Sequence, residues 1–260
     1  MDWGMQNRLA RIIKPKSGRC VMLAVDHGYF GNIPGALKCF GDLNPLFQHA
    51  DALMLTRGML RSCVSADFDI PIVLRASAGA SMLKELSNEE INITIEEAIR
   101  LNVSAITCSI FVGGEYEKHS LMNLSKLVNW GQEYGIPTLA VTAVGREMVR
   151  DDRYLGMASR MAAELGATFV KTYYCDDFEN VTSICPVPVV IAGGKKLPEK
   201  DALQMAKNAI NAGAVGVDMG RNIFQSDKPI GMIKAVRAIV HENASVDEAY
   251  GIYQDGPIGL

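Results

Sequence analysis

The stretch that decides the fold is Ala-Thr-Phe-Val-Lys-Thr-Tyr-Tyr, residues 167–174. It has the β-branched and aromatic composition of a buried strand, yet it carries one charged side chain, Lys171. An ammonium taken out of water must find a partner or give up its proton. A neutral lysine amine in such a place can form a Schiff base with a carbonyl substrate. The alternative is a lysine at a strand end whose amine reaches solvent, which would be the better interpretation of an isolated case.

The pattern is not isolated, because most of the other apolar runs also end in a polar or charged residue at their carboxyl end. These runs alternate with segments whose apolar residues have the three- and four-residue spacing of helices. The predicted strands are 20–26, 52–56, 70–75, 105–110, 138–142, 167–174, 187–191 and 214–218, and the predicted helices include 92–101, 119–134, 153–165, 199–211 and 229–240.

About eight β-α units in roughly 250 residues predict an α/β fold, a (β/α)₈ TIM barrel. A doubly wound open sheet is the alternative. It would usually have fewer strands and a phosphate-binding G-x-G-x-x-G loop after the first one. No such loop follows Asp26.

Composition narrows the classes of protein further. With 260 residues, 48% hydrophobic and 21% charged, the chain can bury a large core, and we expect residues 1–260 to form a single domain. A net charge of -3 gives no support for a nucleic-acid partner. Its six cysteines show no CxxC pair and no metal-ligand spacing, which favours a reducing cytoplasm and no metal site. No stretch has the apolar length of a membrane span, so no membrane partner is expected.

In a parallel barrel the active site is built at the carboxyl ends of the strands. The groups that this chain places there are Asp26 and His27 after the first strand, Arg57 after the second, Arg75 after the third, Thr142 with Gly145 and Arg146 after the fifth, and Lys171. Glycines follow the seventh strand at Gly193 and Gly194, before Lys195 and Lys196, and the eighth at Gly220, before Arg221. Glycines at these two strands let backbone N–H groups approach a phosphate, and an arginine or a short helix N-terminus assists.

Several of these residues have more than one interpretation. Asp26 is either a base or the counter-ion that holds Lys171 charged, although a purely structural ion pair gives the same pattern. His27 is either a proton donor that polarises a substrate oxygen or a structural histidine. Lys195 and Lys196 are better placed to steer an anionic substrate than to react, but one of them could be the nucleophile instead of Lys171.

Five stretches together resemble the class I aldolase family that includes the archaeal fructose-bisphosphate aldolases. They are Leu-Ala-Val-Asp-His-Gly-Tyr-Phe (23–30), Met-Val-Arg-Asp (148–151), Val-Lys-Thr-Tyr-Tyr (170–174), Ile-Ala-Gly-Gly-Lys-Lys (191–196) and Val-Asp-Met-Gly-Arg-Asn-Ile-Phe-Gln (217–225). The likeness extends from Asp2 to about Tyr253. It implies a TIM barrel, a covalent imine on Lys171 with no metal or bound cofactor, an acidic partner at Asp26, and phosphate contacts from Gly193, Gly194, Gly220 and Arg221. Members of the family form ring-shaped oligomers, often decamers, so a homo-oligomer is expected.

One departure from the family pattern concerns the fifth strand. The fructose-bisphosphate aldolases carry a tyrosine acid/base there, followed by Pro-Arg-Gly, whereas this chain has Thr142-Ala143-Val144-Gly145-Arg146. Aldol cleavage must remove a proton from a hydroxyl, so the loss of the tyrosine argues against cleavage of a plain sugar bisphosphate.

The same Val-Thr-x-Val-Gly pattern is similar to a thiolase branch of the family that takes part in autoinducer-2 degradation. In that branch coenzyme A, as co-substrate, attacks a ketone of a phosphorylated diketone; acetyl leaves as a thioester and dihydroxyacetone phosphate remains. Both chemistries need an electron sink, which an iminium on Lys171 would supply. A class I aldolase or transaldolase for another ketose phosphate stays open as the alternative. A silent phosphate-binding barrel is disfavoured, since a mere binder has no reason to bury an amine, and an acyl-enzyme on Cys108 or Cys175 is disfavoured because neither has a base beside it.

Overall fold

Eight parallel strands of the described chain close into a barrel. The computed structural model describes residues 1–33, 35, 40–144 and 148–260. The strands are β1 (Cys20–Ala24), β2 (Ala52–Thr56), β3 (Ile72–Arg75), β4 (Ala105–Ile110), β5 (Thr138–Thr142), β6 (Phe169–Tyr173), β7 (Val189–Ala192) and β8 (Gly216–Met219). Each strand pairs with the next, and β8 closes the ring by pairing with β1. The TIM-barrel prediction is therefore confirmed, and the open-sheet alternative is wrong.

Helices connect the strands around the outside of the barrel. They are α1 (Trp3–Ile12), α2 (Asn44–Phe47), α3 (Arg57–Cys63), α4 (Ile95–Arg100), α5 (Glu117–Tyr134), α6 (Asp152–Glu164), α7 (Phe178–Ile184), α8 (Glu199–Asn211), α9 (Arg221–Phe224), α10 (Pro229–Glu242) and α11 (Val246–Gln254). Five of them begin after a side chain that accepts a hydrogen bond from the backbone N–H three residues later, as N-caps do: Asp2, Thr56, Thr94, Asp151 and Ser245. The loop after β3 adds a small antiparallel ladder, Ser77–Ala78 with Glu90–Ile91.

The first strand is shorter than predicted, and the difference shapes the site. Strand β1 ends at Ala24 instead of Asp26, because Asp26 has helical backbone angles (φ -86°, ψ -1°) and leads into a 3₁₀ turn, His27–Phe30. The carboxylate of Asp26 and the ring of His27 therefore project from a turn above the barrel and not from the strand itself.

The barrel interior changes from apolar to polar along the strand direction. Its lower part is filled by side chains such as Met22, Met54, Leu139 and Phe169, and Ile12 of α1 packs against their amino-terminal end. Alternate residues of a strand share a face, so the inward position after Phe169 on β6 is Lys171. The same step on β3 leads from Val73 to Arg75. The residues that end the strands thus bring charges to the open, carboxyl end of the barrel.

Three further observations bear on the class of protein. Within the described ranges, no helix is both long and apolar enough to cross a bilayer. The described cysteines, Cys20, Cys63, Cys108, Cys175 and Cys185, are free thiols. Over the same ranges, no group of three or more His, Cys, Asp or Glu side chains is arranged to hold a metal ion.

Candidate active site

A cavity of about 170 Å³ opens at the carboxyl end of the barrel, where the sequence places its reactive groups. Nine residues predicted from the sequence line it together: Asp26, His27, Arg75, Thr142, Lys171, Gly193, Gly194, Gly220 and Arg221. Asp218, Tyr29, Glu89 and Ser109 contribute further polar groups to the wall. Contributions from opposite sides of the barrel therefore meet in one small space.

The amine of Lys171 is paired with Asp218, the inward residue of β8. Its Nζ lies 2.7 Å from Oδ2 of Asp218 and 3.8 Å from the sulfur of Met54. The Lys171 side chain is 9% exposed and that of Asp218 is fully buried. Oδ1 of Asp218 is buried and has no hydrogen-bond partner among the described residues. One oxygen of this carboxylate therefore holds the lysine, and the other stays available to a ligand or a proton.

A second buried carboxylate, Asp26, is held by a different cation. Nε of Arg75 donates to Oδ2 of Asp26 over 3.0 Å, and Nη1 of Arg75 donates to Oγ of Ser109 over 3.0 Å. Of the two roles considered for Asp26, base or counter-ion of Lys171, the second falls to Asp218, because the cation paired with Asp26 in the turn above β1 is Arg75. Asp218 shares the strand level of Lys171 and takes that place.

The two aspartates differ in the direction of their pKa shifts. Burial raises the pKa of Asp218 above its ordinary value, and Lys171 offsets this only in part. Burial acts on Asp26 too, but Arg75, followed by Lys171 and His27, outweighs it and holds the pKa of Asp26 below its ordinary value. A pair of carboxyl groups shifted in opposite directions can divide the roles of proton carrier and permanent anion. Asp218 fits the first role and Asp26 the second.

His27 lies in the wall of the cavity as a neutral ring. Burial lowers its pKa to about 4, although Asp26 opposes the shift. Its Nδ1 is buried without a partner in the described chain, and the ring packs edge-on against Phe224 at a centroid distance of 6.0 Å. At neutral pH, His27 can therefore exchange a hydrogen bond with a ligand but does not serve as a cation.

The far side of the cavity has the features of an anion site. Arg221 lines it, and the Nε of Arg221 is a buried donor that lacks a partner within the described ranges. Gly194 has a φ of +66°, which a side chain rarely adopts, so this turn requires glycine. Asn222 holds the two glycine loops together: its Nδ2 donates to the carbonyl oxygens of Gly193 (2.6 Å) and Lys195 (3.2 Å), and its Oδ1 accepts from the N–H of Leu197.

Some predicted residues lie elsewhere. Arg57 does not line the cavity; its Nη1 donates to Oε2 of Glu97 over 2.8 Å. Lys195 is exposed, and Lys196 is paired with Glu199 at 2.7 Å. Cys108 and Cys175 are also absent from the cavity lining, and burial raises the pKa of each thiol, to about 12 and about 11. Gly145 and Arg146 lie outside the described residues.

The sequence did not single out a second hydrogen-bonded group in the wall, formed by Tyr29 and Glu89. The hydroxyl of Tyr29 donates to Oε1 of Glu89 over 2.8 Å, and Oγ of Ser77 donates to Oε2 over 2.5 Å. The guanidinium carbon of Arg75 lies 4.8 Å from the centre of the Tyr29 ring. Burial raises the pKa of Tyr29, which keeps its hydroxyl protonated. Both residues come from loops whose course strand periodicity does not predict.

A family model described as DeoC/LacD family aldolase matches residues 20–226. The chain is 55% identical to a protein of Photorhabdus laumondii named 3-hydroxy-5-phosphonooxypentane-2,4-dione thiolase, over 97% of this chain and 88% of that protein. It is 54% identical to the protein of the same name from Escherichia coli K12, with the same coverage. The Enterobacter protein of that name is 57% identical, over 98% of this chain and 87% of its own.

Solved structures share the fold at lower identity. An archaeal fructose 1,6-bisphosphate aldolase superposes with a TM-score of 0.81 at 23% identity, over 92% of this chain and 99% of its own. A fructose-bisphosphate aldolase from Slackia heliotrinireducens superposes with a TM-score of 0.84 at 20% identity, over 99% of this chain and 92% of its own. An archaeal aldolase at 24% identity, with a TM-score of 0.81 over 91% and 99% of the two chains, was solved with its catalytic lysine bound to a carbinolamine intermediate.

Proposed function

This chain belongs to the DeoC/LacD family of aldolases, and from that premise we propose that it cleaves 3-hydroxy-5-phosphonooxypentane-2,4-dione with coenzyme A, through an imine on Lys171. The products are dihydroxyacetone phosphate and acetyl-coenzyme A. The observation that carries the proposal is the buried Lys171–Asp218 pair, which faces a cavity also lined by Arg221, whose Nε has no partner among the described residues. The three relatives named above, which are 54–57% identical to this chain, bear the name of this thiolase.

Imine formation begins when the substrate phosphate is bound by Arg221 and the glycine loops. The carbonyl carbon C4, which is bonded to the phosphate-bearing carbon C5, is then directed towards Lys171. Asp218 accepts a proton from the ammonium, because burial favours its protonated form. The neutral amine adds to C4, and loss of water gives the iminium. Oδ1 of Asp218 is available for the proton transfers of the carbinolamine.

Thiolysis follows from the charge on that iminium. The thiolate of coenzyme A adds to the C2 carbonyl carbon, and the C2–C3 bond then breaks. Its electron pair moves into the iminium and forms an enamine, while the acetyl group leaves on sulfur. C3 takes up a proton, which balances the one that the thiol lost, and hydrolysis of the imine releases dihydroxyacetone phosphate and restores Lys171.

Asp26 and His27 act on the substrate oxygens in this scheme. Arg75 keeps Asp26 ionised, so Asp26 presents a fixed acceptor for the substrate hydroxyl at C3. His27 stays neutral and offers a hydrogen bond from the same turn. Neither residue has to change charge during turnover.

An aldolase is the second candidate, and the structure gives two observations against it. Val144 packs against the hydrophobic core and does not line the cavity, so the position of the aldolase tyrosine carries no acid/base group. Tyr29 does line the cavity, but burial raises its pKa and its hydroxyl already donates to Glu89. A protonated donor of this kind does not accept the hydroxyl proton that aldol cleavage releases.

Two assays test the proposal. Borohydride reduction in the presence of dihydroxyacetone phosphate should add one adduct to Lys171, and the adduct should be absent from Lys171→Ala but present in the matched variant Lys196→Ala. With the diketone and coenzyme A, acetyl-coenzyme A should accumulate, while fructose bisphosphate is cleaved about 10²–10⁴-fold more slowly than by an enzyme with a positioned acid/base group. Rapid fructose-bisphosphate cleavage without thioester formation would select the aldolase instead. An adduct on Lys195 or Lys196 would contradict the choice of lysine.

A homo-oligomeric ring, the cytoplasmic location and the single-domain extent of residues 1–260 stay predictions. Gel filtration with light scattering would test the first of them.

A further inference from the structure

The cavity around Lys171 is too small for both substrates of a thiolase. At about 170 Å³ it is below the roughly 300–1,000 Å³ of pockets that hold drug-sized ligands. It fits a short phosphorylated ketone, whereas most of coenzyme A must lie outside with only its thiol end reaching in. The inference that follows rests on the proposed function, since only a thiolase needs a second, thiol-bearing substrate.

One wall of the cavity is also the wall of a larger groove. Tyr29 lines both the cavity and a groove of about 640 Å³ that runs past Gly79, Ser81, Lys84 and Asn88. The groove is attached to the Tyr29 turn, because the N–H of Met82 donates to the carbonyl oxygen of Phe30 over 2.8 Å. Tyr29 itself is fixed by Glu89 and lies beneath Arg75. Tyr29 is therefore a well-held residue that the walls of the cavity and of the groove have in common.

The groove continues outward across a second shared residue. Tyr116 lines the first groove and also a second one, of about 320 Å³, together with Lys118, His119 and Met122. The cavity, the first groove and the second groove are thus neighbours that share a lining residue at each step, and we call this series, from Lys171 past Tyr29 and Tyr116, the path. A depression on another side of the barrel, between Tyr174 and Asn208, shares no lining residue with the cavity.

The chemistry of the path matches an extended acyl-carrier thiol that ends in a phosphorylated nucleoside. Lys84 and Lys118 are exposed cations, one in each groove, and Tyr116 offers an aromatic face of the kind on which nucleobases stack. Glu85 and Glu115 also line the grooves; Oε1 of Glu85 accepts from the N–H of Ser87, and His119 is paired with Glu90. The first groove also carries the amide of Asn88 and the hydroxyl of Ser81, which suit the amide groups of a pantetheine arm.

We propose that coenzyme A binds along this path, with its thiol passing Tyr29 towards the imine on Lys171, its pantetheine arm in the first groove and its nucleotide end between Tyr116 and Lys118. The lysines act through charge and Tyr116 through stacking. Lys84, Lys118 and Tyr116 do not contribute to imine formation, which takes place in the cavity on the other side of Tyr29.

The test separates binding of the nucleotide from the chemistry. We would measure KM for coenzyme A, for the short thiol N-acetylcysteamine and for the diketone in Lys84→Glu, Lys118→Glu and Tyr116→Ala. Lys16→Glu is the matched control, because Lys16 is exposed at the other end of the barrel. We expect KM for coenzyme A to rise by about tenfold in each variant, the effect of losing one charge-assisted contact at Lys84 or Lys118, or one stacked base at Tyr116. KM for N-acetylcysteamine and for the diketone should stay unchanged, as should borohydride trapping of dihydroxyacetone phosphate, which needs no thiol.

Two results overturn the inference. One is an unchanged KM for coenzyme A in all three variants; the other is an equal rise for N-acetylcysteamine, which would mean that the substitutions act on the cavity itself. If the unmodified protein forms no acetyl-coenzyme A, the proposed function fails first and the inference falls with it. Formation of acetyl-coenzyme A together with an unchanged KM in the variants refutes the path alone.

Discussion

Two buried aspartates lie at opposite ends of the barrel, and their hydrogen bonds differ. Asp51, at the amino end just before β2, accepts from the N–H of Val21 (2.7 Å), from Nη1 of Arg237 (2.9 Å) and from Nε2 of His241 (2.7 Å), so that both of its oxygens are engaged. Asp218, at the carboxyl end, has one oxygen on Lys171 and leaves the other without a partner in the described chain.

The difference teaches how to separate structural from functional polar groups in one fold. Buried polar groups are nearly always hydrogen-bonded, so a buried oxygen that is left over points to a ligand or to a proton in transit. Asp51 holds α10 against the base of the barrel and needs nothing else. Asp218 has one oxygen without a hydrogen bond from the described residues, and that oxygen is left for a ligand or a proton, as expected for the functional face of a TIM barrel.

The largest effect should come from replacing each of the two aspartates by the isosteric asparagine. Asp218→Asn removes the proton carrier and should lower kcat by about 10²–10⁴, the usual contribution of a positioned acid/base group. Asp51→Asn should leave kcat nearly unchanged but lower the free energy of unfolding by about 1–3 kcal/mol, because it disturbs a buried acceptor that is fully used. Steady-state rates and thermal melts on both variants check this. A strong loss of activity in Asp51→Asn with normal stability would break the comparison.

The next effect concerns Arg221 and Arg57, which were both predicted to lie at the carboxyl ends of strands. Arg221→Ala should weaken binding of the phosphorylated diketone by about 1.5–3 kcal/mol, since one charge-assisted contact is lost. Binding of an analogue without the phosphate should not respond. Arg57→Ala, which removes an arginine paired with Glu97 outside the cavity, is the matched control and should leave KM unchanged. Equal KM values in Arg221→Ala and the parent protein would transfer the phosphate site to another residue, with Lys195 as the next candidate.

A smaller effect should appear in the pH dependence of stability. Burial tends to raise the pKa of Asp51, but the bonds from His241, Val21 and Arg237 outweigh it and hold this pKa below the ordinary value. A depressed carboxyl pKa stabilises the fold above the unfolded pKa, about 3.9, and this contribution is lost as the pH falls through the folded value. Asp51→Asn should therefore flatten the acid side of a plot of melting temperature against pH.

Asp218 sharpens this contrast because its pKa shift has the opposite sign. Its raised pKa contributes stability below the unfolded value and loses it as the pH rises through the folded value. Asp218→Asn should thus leave the acid limb of the plot in place. Parallel acid limbs in Asp51→Asn and the parent protein would show that Asp51 is not the group responsible.

The smallest effect is expected at His27. Its pKa, lowered to about 4 mainly by burial, leaves the ring neutral throughout the range in which an ordinary histidine titrates. The plot of kcat/KM against pH should therefore show no inflection near 6.5 that is due to His27. The parent protein and His27→Gln should have profiles of the same shape in that range. The substitution should lower the rate modestly, through the loss of one hydrogen bond, and keep the shape of the profile. An inflection near 6.5 that vanishes in His27→Gln would assign a proton transfer to this ring.

Periodicity and strand endings predicted much of this molecule. Strands β2, β4 and β5 begin and end where the apolar runs do. Buried parallel strands are continuous runs of β-branched and aliphatic residues, and polar residues mark where they end. The gathering of Lys171, Asp26 and Arg221 follows from the same fact, since the carboxyl ends of all strands of a barrel open onto one face.

Pairing within the site could not be predicted in the same way. The choice of Asp218 over Asp26 as the partner of Lys171 depends on the height of each carboxylate above the barrel, and Asp26 is lifted by a 3₁₀ turn that strand periodicity does not reveal. The position of Asp218 at the end of the last strand was a usable signal. Glu89 and Tyr29 had no such signal, because loops place them in the cavity wall. Arg57 does follow a strand, but its side chain turns outward to Glu97.

Gly220 sets a limit on how this barrel can be redesigned. A methyl group on its Cα would lie 2.2 Å from the carbonyl oxygen of Ala24 and 2.7 Å from Cε1 of His27. Since neither the backbone of β1 nor the adjoining cavity wall can yield that far, every library member with another residue at position 220 should be lost to misfolding or to a displaced His27. Combinatorial variation aimed at new anionic substrates should therefore hold codon 220 constant and randomise Arg221.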